Sequence, residues 1–344
     1  KESVIRQYDH EVQGGSVIKP LTGAENDGPS DAGVLRPVLD TTEGIAIANG
    51  ICPKYSTIDT YHMVACAIDE GIRNIIAAGG SLKQIAGLDN FCWPDPVESD
   101  HTPDGRYKLA QLVRACKAIY TYCTGFGVPC ISGKDSMKND AHLDGQKISI
   151  LPTLLFSTIG KIDDVRKCVT SDVKAAGDLV YLVGQTHNEC GASEYFMEIA
   201  CDAGEVPRVE LESARQRYQR ISQATDQGLI RSNHDCSDGG LAVALAESAF
   251  AGRLGMELSL DKLAEDSLLR PDILLFSESQ SRFVLTVSPE NQKAFEAVMR
   301  DDVLYCLGNV TAAPRLRISL QKQILIDENV HDLGRSWQST LSRR

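Results

Sequence analysis

From Thr57 to Ala78 the chain carries Val64, Ile68, Ile72, Ile75 and Ile76 at helical spacing, with Asp59 in the first turn and Gly79-Gly80 as a stop. A second helical stripe, Leu109, Leu112, Val113, Cys116, Ile119 and Cys123, predicts a helix over 105–124. Short apolar runs suited to strands surround both: 34–39, 44–48, 84–90, 128–132 and 148–160. Beyond the polar stretch 161–174, the run Asp178 to Gly184 reads as a further strand, and helices are expected over 208–228 and 241–250, with a strand–helix pair over 281–300. Strands and helices mixed in both halves imply an α+β or α/β protein of sheet-and-helix layers.

At 344 residues the chain is longer than one core usually grows, so two domains are expected. The boundaries read as an N-terminal arm over 1–33, rich in Gly, Pro, Asp and Ser, a first domain over 34–160, a linker over 161–177 and a second domain over 178–344. The chain opens at Lys1 without Met, which reads as a cut or processed end. A formal charge of −12 argues against a general nucleic-acid or anionic-membrane surface but leaves room for one phosphorylated substrate. No apolar stretch approaches the ~20 residues that span a bilayer. Eleven cysteines without a CxxC pair or zinc-like spacing are read as reduced thiols of a cytoplasmic protein.

Four places carry candidate chemistry. Glu70 and Asn74 stand four residues apart on the 57–78 helix and so project from one face. Two oxygen donors there suit Mg2+, although such a pair taken alone is first a solvated helix face. The run His234-Asp235-Cys236-Ser237-Asp238-Gly239-Gly240 opens a helix whose N-terminal N–H groups attract anions; Asp238 reads as a cap, which leaves Asp235 as the better metal ligand. Ser132-Gly133-Lys134-Asp135-Ser136 lacks the spacing of a Walker loop and reads as a tight polar loop offering Lys134 and Ser136 to phosphate, or as a plain turn. Asp89, at the end of a strand, accepts from a base or ribose or caps the turn. His10, His62, His101, His142 and His187 have no acid–base partner in sequence and read as surface or core residues.

The markers RQYDHEVQGGSV, IDEGIRNIIAAGG, GLDNFCWPDP, ISGKDSMKND, AGDLVYLVG, HDCSDGGLAVALAESAFAGRLG, LLFSESQSRFVLTV and LGRSW run nearly from end to end. Together they resemble the second half of the formylglycinamide ribonucleotide amidotransferases, within the aminoimidazole ribonucleotide synthetase superfamily. The resemblance implies an A domain followed by a B domain, with A-domain sheets pairing into a barrel, and a first half, fused or separate, that completes a pseudo-dimer. It implies a reaction in which ATP phosphorylates an amide oxygen and ammonia, supplied by a glutaminase domain or subunit, displaces phosphate to give an amidine. Phosphorylation is what makes that oxygen a competent leaving group.

Carried onto this chain, the resemblance places Asp40, Glu70, Asn74 and Asp235 as Mg2+ ligands of an ATP- or ADP-holding site, with Ser237 on the nucleotide. Asp89 and Gly133 would meet ATP and Ser136 the ribonucleotide, in a site shared with the first half, beside Lys134 and Asp135. Lys134 stands where the small bacterial type has a metal-binding Asn and matches the GKDS loop of the large fused type. Glu278-Ser279-Gln280 match a substrate-binding triplet of the first half. The family's catalytic His has no counterpart here, so the chain alone is expected not to make the amidine. A homodimer through A domains, a free-standing superfamily synthetase or kinase, and a non-catalytic nucleotide-binding scaffold are the competing readings.

Overall fold

The computed structural model describes residues 2–7 and 12–339, so His10 lies outside the described residues. Alternating apolar side chains build a six-stranded sheet in the order Ser16–Ile18, Gly33–Leu35, Gly44–Ile51, Thr153–Ile162, Ile85–Cys92, Cys130–Ser136. All neighbours are antiparallel except the last pair, which is parallel and joined through the Gly105–Phe126 helix. The segment read as an arm thus supplies an edge strand, Ser16–Ile18.

One sheet face packs on the Thr60–Ala77 helix, whose Val64, Ile68, Ile72, Ile75 and Ile76 are fully buried. Asp59 caps this helix, its Oδ1 accepting from Tyr61 N at 2.7 Å and His62 N at 3.2 Å. Helix and sheet approach closely at Gly50, where a Cβ would fall 2.1 Å from the Ala67 carbonyl oxygen. The opposite sheet face is open: Leu35, Ile47, Ile51 and Ile159, which the strand registers put on one side, are 43%, 49%, 42% and 39% exposed.

The second sheet has seven strands in the order Ser232–Asp235, Phe283–Val287, Leu179–Val183, Leu304–Thr311, Gly255–Ser259, Arg315–Leu320, Gln323–Asn329. The Leu211–Asp226 and Gln292–Met299 helices belong to the core that also holds the Thr60–Ala77 helix, whereas the Gly240–Gly252 helix centres a second apolar cluster with Leu182, Val284 and Ile318. The first core therefore runs continuously between the two sheets.

Two expectations about local structure change. The polar run Gly133 to Ser136 is strand rather than loop, because parallel pairing with Ile85–Cys92 sets Asp89 against Gly133, Asn90 against Lys134 and Cys92 against Ser136. The HDCSDGG run does not belong wholly to the helix start, because its first two residues, His234 and Asp235, end the Ser232–Asp235 strand of the second sheet. None of the eleven cysteines is disulfide-bonded, and among the described residues no helix is long and apolar enough to cross a membrane.

Candidate functional site

Where the Thr60–Ala77 helix meets the end of the Ser232–Asp235 strand, charged side chains from both sheets converge. Helical periodicity puts Asp69 and Arg73 on the side facing the second sheet and Glu70 and Asn74 beside them, towards the end of the Gly44–Ile51 strand. Arg73 is fully buried. It bonds Asp235 Oδ2 through Nε at 3.2 Å and Nη2 at 3.1 Å, pairs with Asp69 through Nη1, and reaches Gln280 Oε1 at 3.1 Å. Asp69 also receives the Tyr218 hydroxyl, Ser281 N at 3.1 Å and Ser281 Oγ at 2.9 Å. The guanidinium is therefore compensated by two carboxylates, as a buried cation requires.

Glu70, half-buried, accepts Ile51 N at 2.8 Å and lies 3.6 Å from Cys52 Sγ. Burial, and then the charge of Asp235, push its carboxyl up to about 8 against the opposing pull of Arg73. Asn74 is 9% exposed and spends its amide N–H on the Asn49 carbonyl at 3.1 Å, which leaves Oδ1 buried without a partner. Oxygen donors of this kind, a carboxyl group and an amide oxygen without a partner, are the type that a hard divalent cation takes. The donors Glu70, Asn74 and Asp235 thus fit a hard divalent ion.

Asp40 does not join them. It sits exposed in the turn before Gly44, whereas Glu70 binds Ile51 at the other end of the same eight-residue strand. At ~3.3 Å per residue the two ends are about 20 Å apart. The fourth ligand implied by the resemblance is corrected on that ground.

Asp31 and His234 do join, and sequence reasoning missed both. His234 Nδ1 is 2.6 Å from Asp31 Oδ1 and Nε2 is 3.0 Å from Glu247 Oε2, while Glu247 Oε1 accepts the Trp337 indole at 2.7 Å. Burial pulls the imidazole down, but the Asp31 and Glu247 carboxylates lift it well above its usual value; Asp31 is raised by burial to about 6. One ligand atom each from Asp31, His234 and Asp235 lie within 4.8 Å of one another, so this triad borders the same carboxylate. The available signal was a polar His-Asp pair at the end of a strand that packs into a core.

The Gly239 N–H at the N-cap of the Gly240–Gly252 helix donates to Glu278 Oε1 at 2.9 Å, so Gly239, not Asp238, stands at the cap position. Ser237 is half-buried beside it, its carbonyl accepting Gly240 N at 3.0 Å. The triplet Glu278-Ser279-Gln280 is engaged internally: Ser279 Oγ accepts His187 N at 2.9 Å, and Gln280 bonds Arg73 and the Glu278 carbonyl. Gln280 also edges a cleft of about 490 Å3 beside His187, Arg208, Arg217 and Arg220, in which Arg217 is already bonded twice to Asp302, at 3.0 and 2.8 Å.

The other candidate residues form a separate group. A Cβ on Gly133 would lie 2.7 Å from Asp89 Oδ1, so the carboxylate overhangs the bare glycine. Burial and the nearby Asp135 raise Asp89. Strand alternation puts Gly133 and Asp135 on the Asp89 face and Lys134 and Ser136 on the opposite, open face. Ile51, Leu155, Asn90 and Lys134 form one row across the sheet, so Asp89 lies two strand spacings, about 10 Å, and Gly133 to Ser136 three, about 14 Å, from the strand that bonds Glu70. The two groups thus stand on different strands of the sheet.

Comparison with known proteins agrees with this architecture. Residues 29–161 match the family model of the AIR synthase related protein N-terminal domain, and residues 175–321 match that of its C-terminal domain. The chain is 34% identical over 344 residues to the phosphoribosylformylglycinamidine synthase subunit PurL of Alkaliphilus metalliredigens, covering 99% of this chain and 43% of the relative. It is 32% identical to the PurL subunit of Methanocaldococcus jannaschii, over 98% of this chain and 44% of that protein. The chain therefore spans less than half the length of these relatives. The structure of T. maritima PurL complexed with FGAR superposes with a TM-score of 0.71 at 19% identity, covering 91% of this chain and 49% of that one. With both domains matched in order, the chain belongs to the AIR synthase related family.

Proposed function

We propose that this chain is one A–B unit of a phosphoribosylformylglycinamidine synthase, the ligase of purine biosynthesis that turns formylglycinamide ribonucleotide, glutamine and ATP into formylglycinamidine ribonucleotide, glutamate, ADP and phosphate. The similarity to PurL subunits over nearly the whole chain supports the assignment, and the share of those relatives it covers makes it one half. Its partners are then the other half, fused or separate, and a glutaminase domain or subunit, in the cytoplasm. The open sheet face with Ile47, Ile51 and Ile159 suits an apolar partner such as a second A-domain sheet, from the other half or from a second copy.

The observation that supports the site is the unpartnered, buried Asn74 Oδ1, one turn along the helix from Glu70, whose carboxyl feels the charge of Asp235. Glu70, Asn74 and Asp235 would hold Mg2+, which offsets the charge of a bound ATP or ADP, with Ser237 beside the nucleotide. Asp89, Gly133, Lys134, Asp135 and Ser136, too distant for that site, would serve a second one completed by the other half. Among the described residues, the histidine at the joint, His234, is held by two carboxylates and so is not free to act as an acid–base group. The expected result of a steady-state assay with substrate, ATP, Mg2+ and ammonia is no turnover by the chain alone and turnover once the other half is added. Turnover by the chain alone at the rate of the complete synthetase would overturn the assignment to half an enzyme.

A further inference from the structure

Helix N-termini bind anions because their first N–H groups lack intrahelical partners. At the Gly240–Gly252 helix that position is filled from within. Glu278, 1% exposed, places Oε1 2.9 Å from Gly239 N and 2.9 Å from Glu194 N, the first residue of the Glu194–Glu198 helix, while Oε2 accepts the Tyr55 hydroxyl at 2.6 Å. Three donors from three segments, one of them in the first domain, converge on one carboxylate.

Backbone geometry forces this arrangement. Gly239 and Gly240 have φ of 77° and 64°, a region that favours glycine. A Cβ on Gly240 would fall 2.2 Å from the Ser277 carbonyl oxygen, so the helix start lies directly against the strand of chain that carries Glu278. The adjoining cleft, about 220 Å3, adds Asp238 and Glu194 to its wall, and its Lys54 is paired with Glu194. A free phosphate arriving there meets Gly239 and Gly240 N–H groups already bonded, to Glu278 and to the Ser237 carbonyl, and a surplus of negative charge.

We propose that Glu278 is an internal anion that fixes the specificity of the joint, excluding phosphate groups from the helix N-terminus so that a polyphosphate is held only through the cation on Glu70, Asn74 and Asp235. The exclusion stands on the contacts of Glu278 alone, and the second clause rests on the nucleotide reading above. At pH 8, where the carboxylate is ionised, inorganic phosphate without Mg2+ gives no calorimetric binding to the wild-type chain. Glu278→Ala binds it at least about tenfold more tightly and loses the Mg2+ requirement for ADP.

A folded Glu278→Ala chain, checked by circular dichroism, that binds phosphate no better than wild type would overturn the proposal. Should that variant not fold, the Gly239 amide resonance of wild type, labelled with 15N-glycine, decides instead: it stays in place on adding phosphate alone, and a saturable shift would overturn the proposal. Absence of ADP–Mg2+ binding by wild type would sink the nucleotide reading, while the phosphate measurements still judge the exclusion.

Discussion

Glu70 and Glu278 are both carboxyls that the fold makes reluctant to ionise, with opposite consequences for a ligand. Burial and the charge of Asp235 outweigh Arg73 and push the Glu70 carboxyl up to about 8. A divalent ion must displace that proton, so Mg2+ affinity is expected to rise from pH 6.5 to 8.5 with proton release, measurable by calorimetry in two buffers of different ionisation heat. Glu278 is raised from 4.5 to about 7 by burial, against the pull of its three donors. Its folded value lies above its unfolded one, so its contribution is present in full below 4.5 and is lost as pH rises through 7. Relative to Glu278→Gln, the wild type is therefore expected to lose up to about 3 kcal/mol between pH 5 and pH 8 in urea unfolding. Arg73→Met leaves Asp69 and Asp235 buried without their cation and is expected to cost about 3–5 kcal/mol in the same measurement. None of these values is visible in sequence, where Glu70 and Asn74 are only an i,i+4 pair and Glu278 is one acid in an SESQS run. The contacts that matter come from residues more than a hundred positions away, such as Tyr55 on Glu278 and Asp235 on Arg73.

At the scale of elements, periodicity located the Thr60–Ala77 and Gly105–Phe126 helices and most core strands, because apolar spacing is a local property. It misplaced Gly133 to Ser136, whose polar side chains look like a loop until parallel pairing with Ile85–Cys92 satisfies the backbone. It also gave no account of Ser16–Ile18 as an edge strand, since a three-residue strand is defined by its neighbour and not by its own pattern. Asp40 shows the limit of a resemblance: a matching residue type in the right segment stands at the wrong end of a strand. The helix–sheet approach at Gly50 gives an element-scale test. Gly50→Ala drives a methyl to 2.1 Å from the Ala67 carbonyl oxygen and is expected to lower stability by about 1–3 kcal/mol, read as a shift of the urea midpoint.

For the whole molecule, one sheet face is covered by a helix and the other carries exposed Leu35, Ile47, Ile51 and Ile159, the face that the proposed pairing with another A-domain sheet would cover. Ile47→Lys is expected to weaken association with the other half, or of two copies, in sedimentation velocity, without changing the monomer's fold. The proposed divalent-cation site of Glu70, Asn74 and Asp235 lies at the joint of the two domains. It is tested most directly by titrating ADP with Mg2+ into wild type, Asp235→Ala and Asp40→Ala by calorimetry. Binding by wild type and Asp40→Ala is expected, with affinity at least about tenfold weaker in a folded Asp235→Ala. Equal binding by wild type and Asp235→Ala, or loss of binding in Asp40→Ala alone, would contradict it.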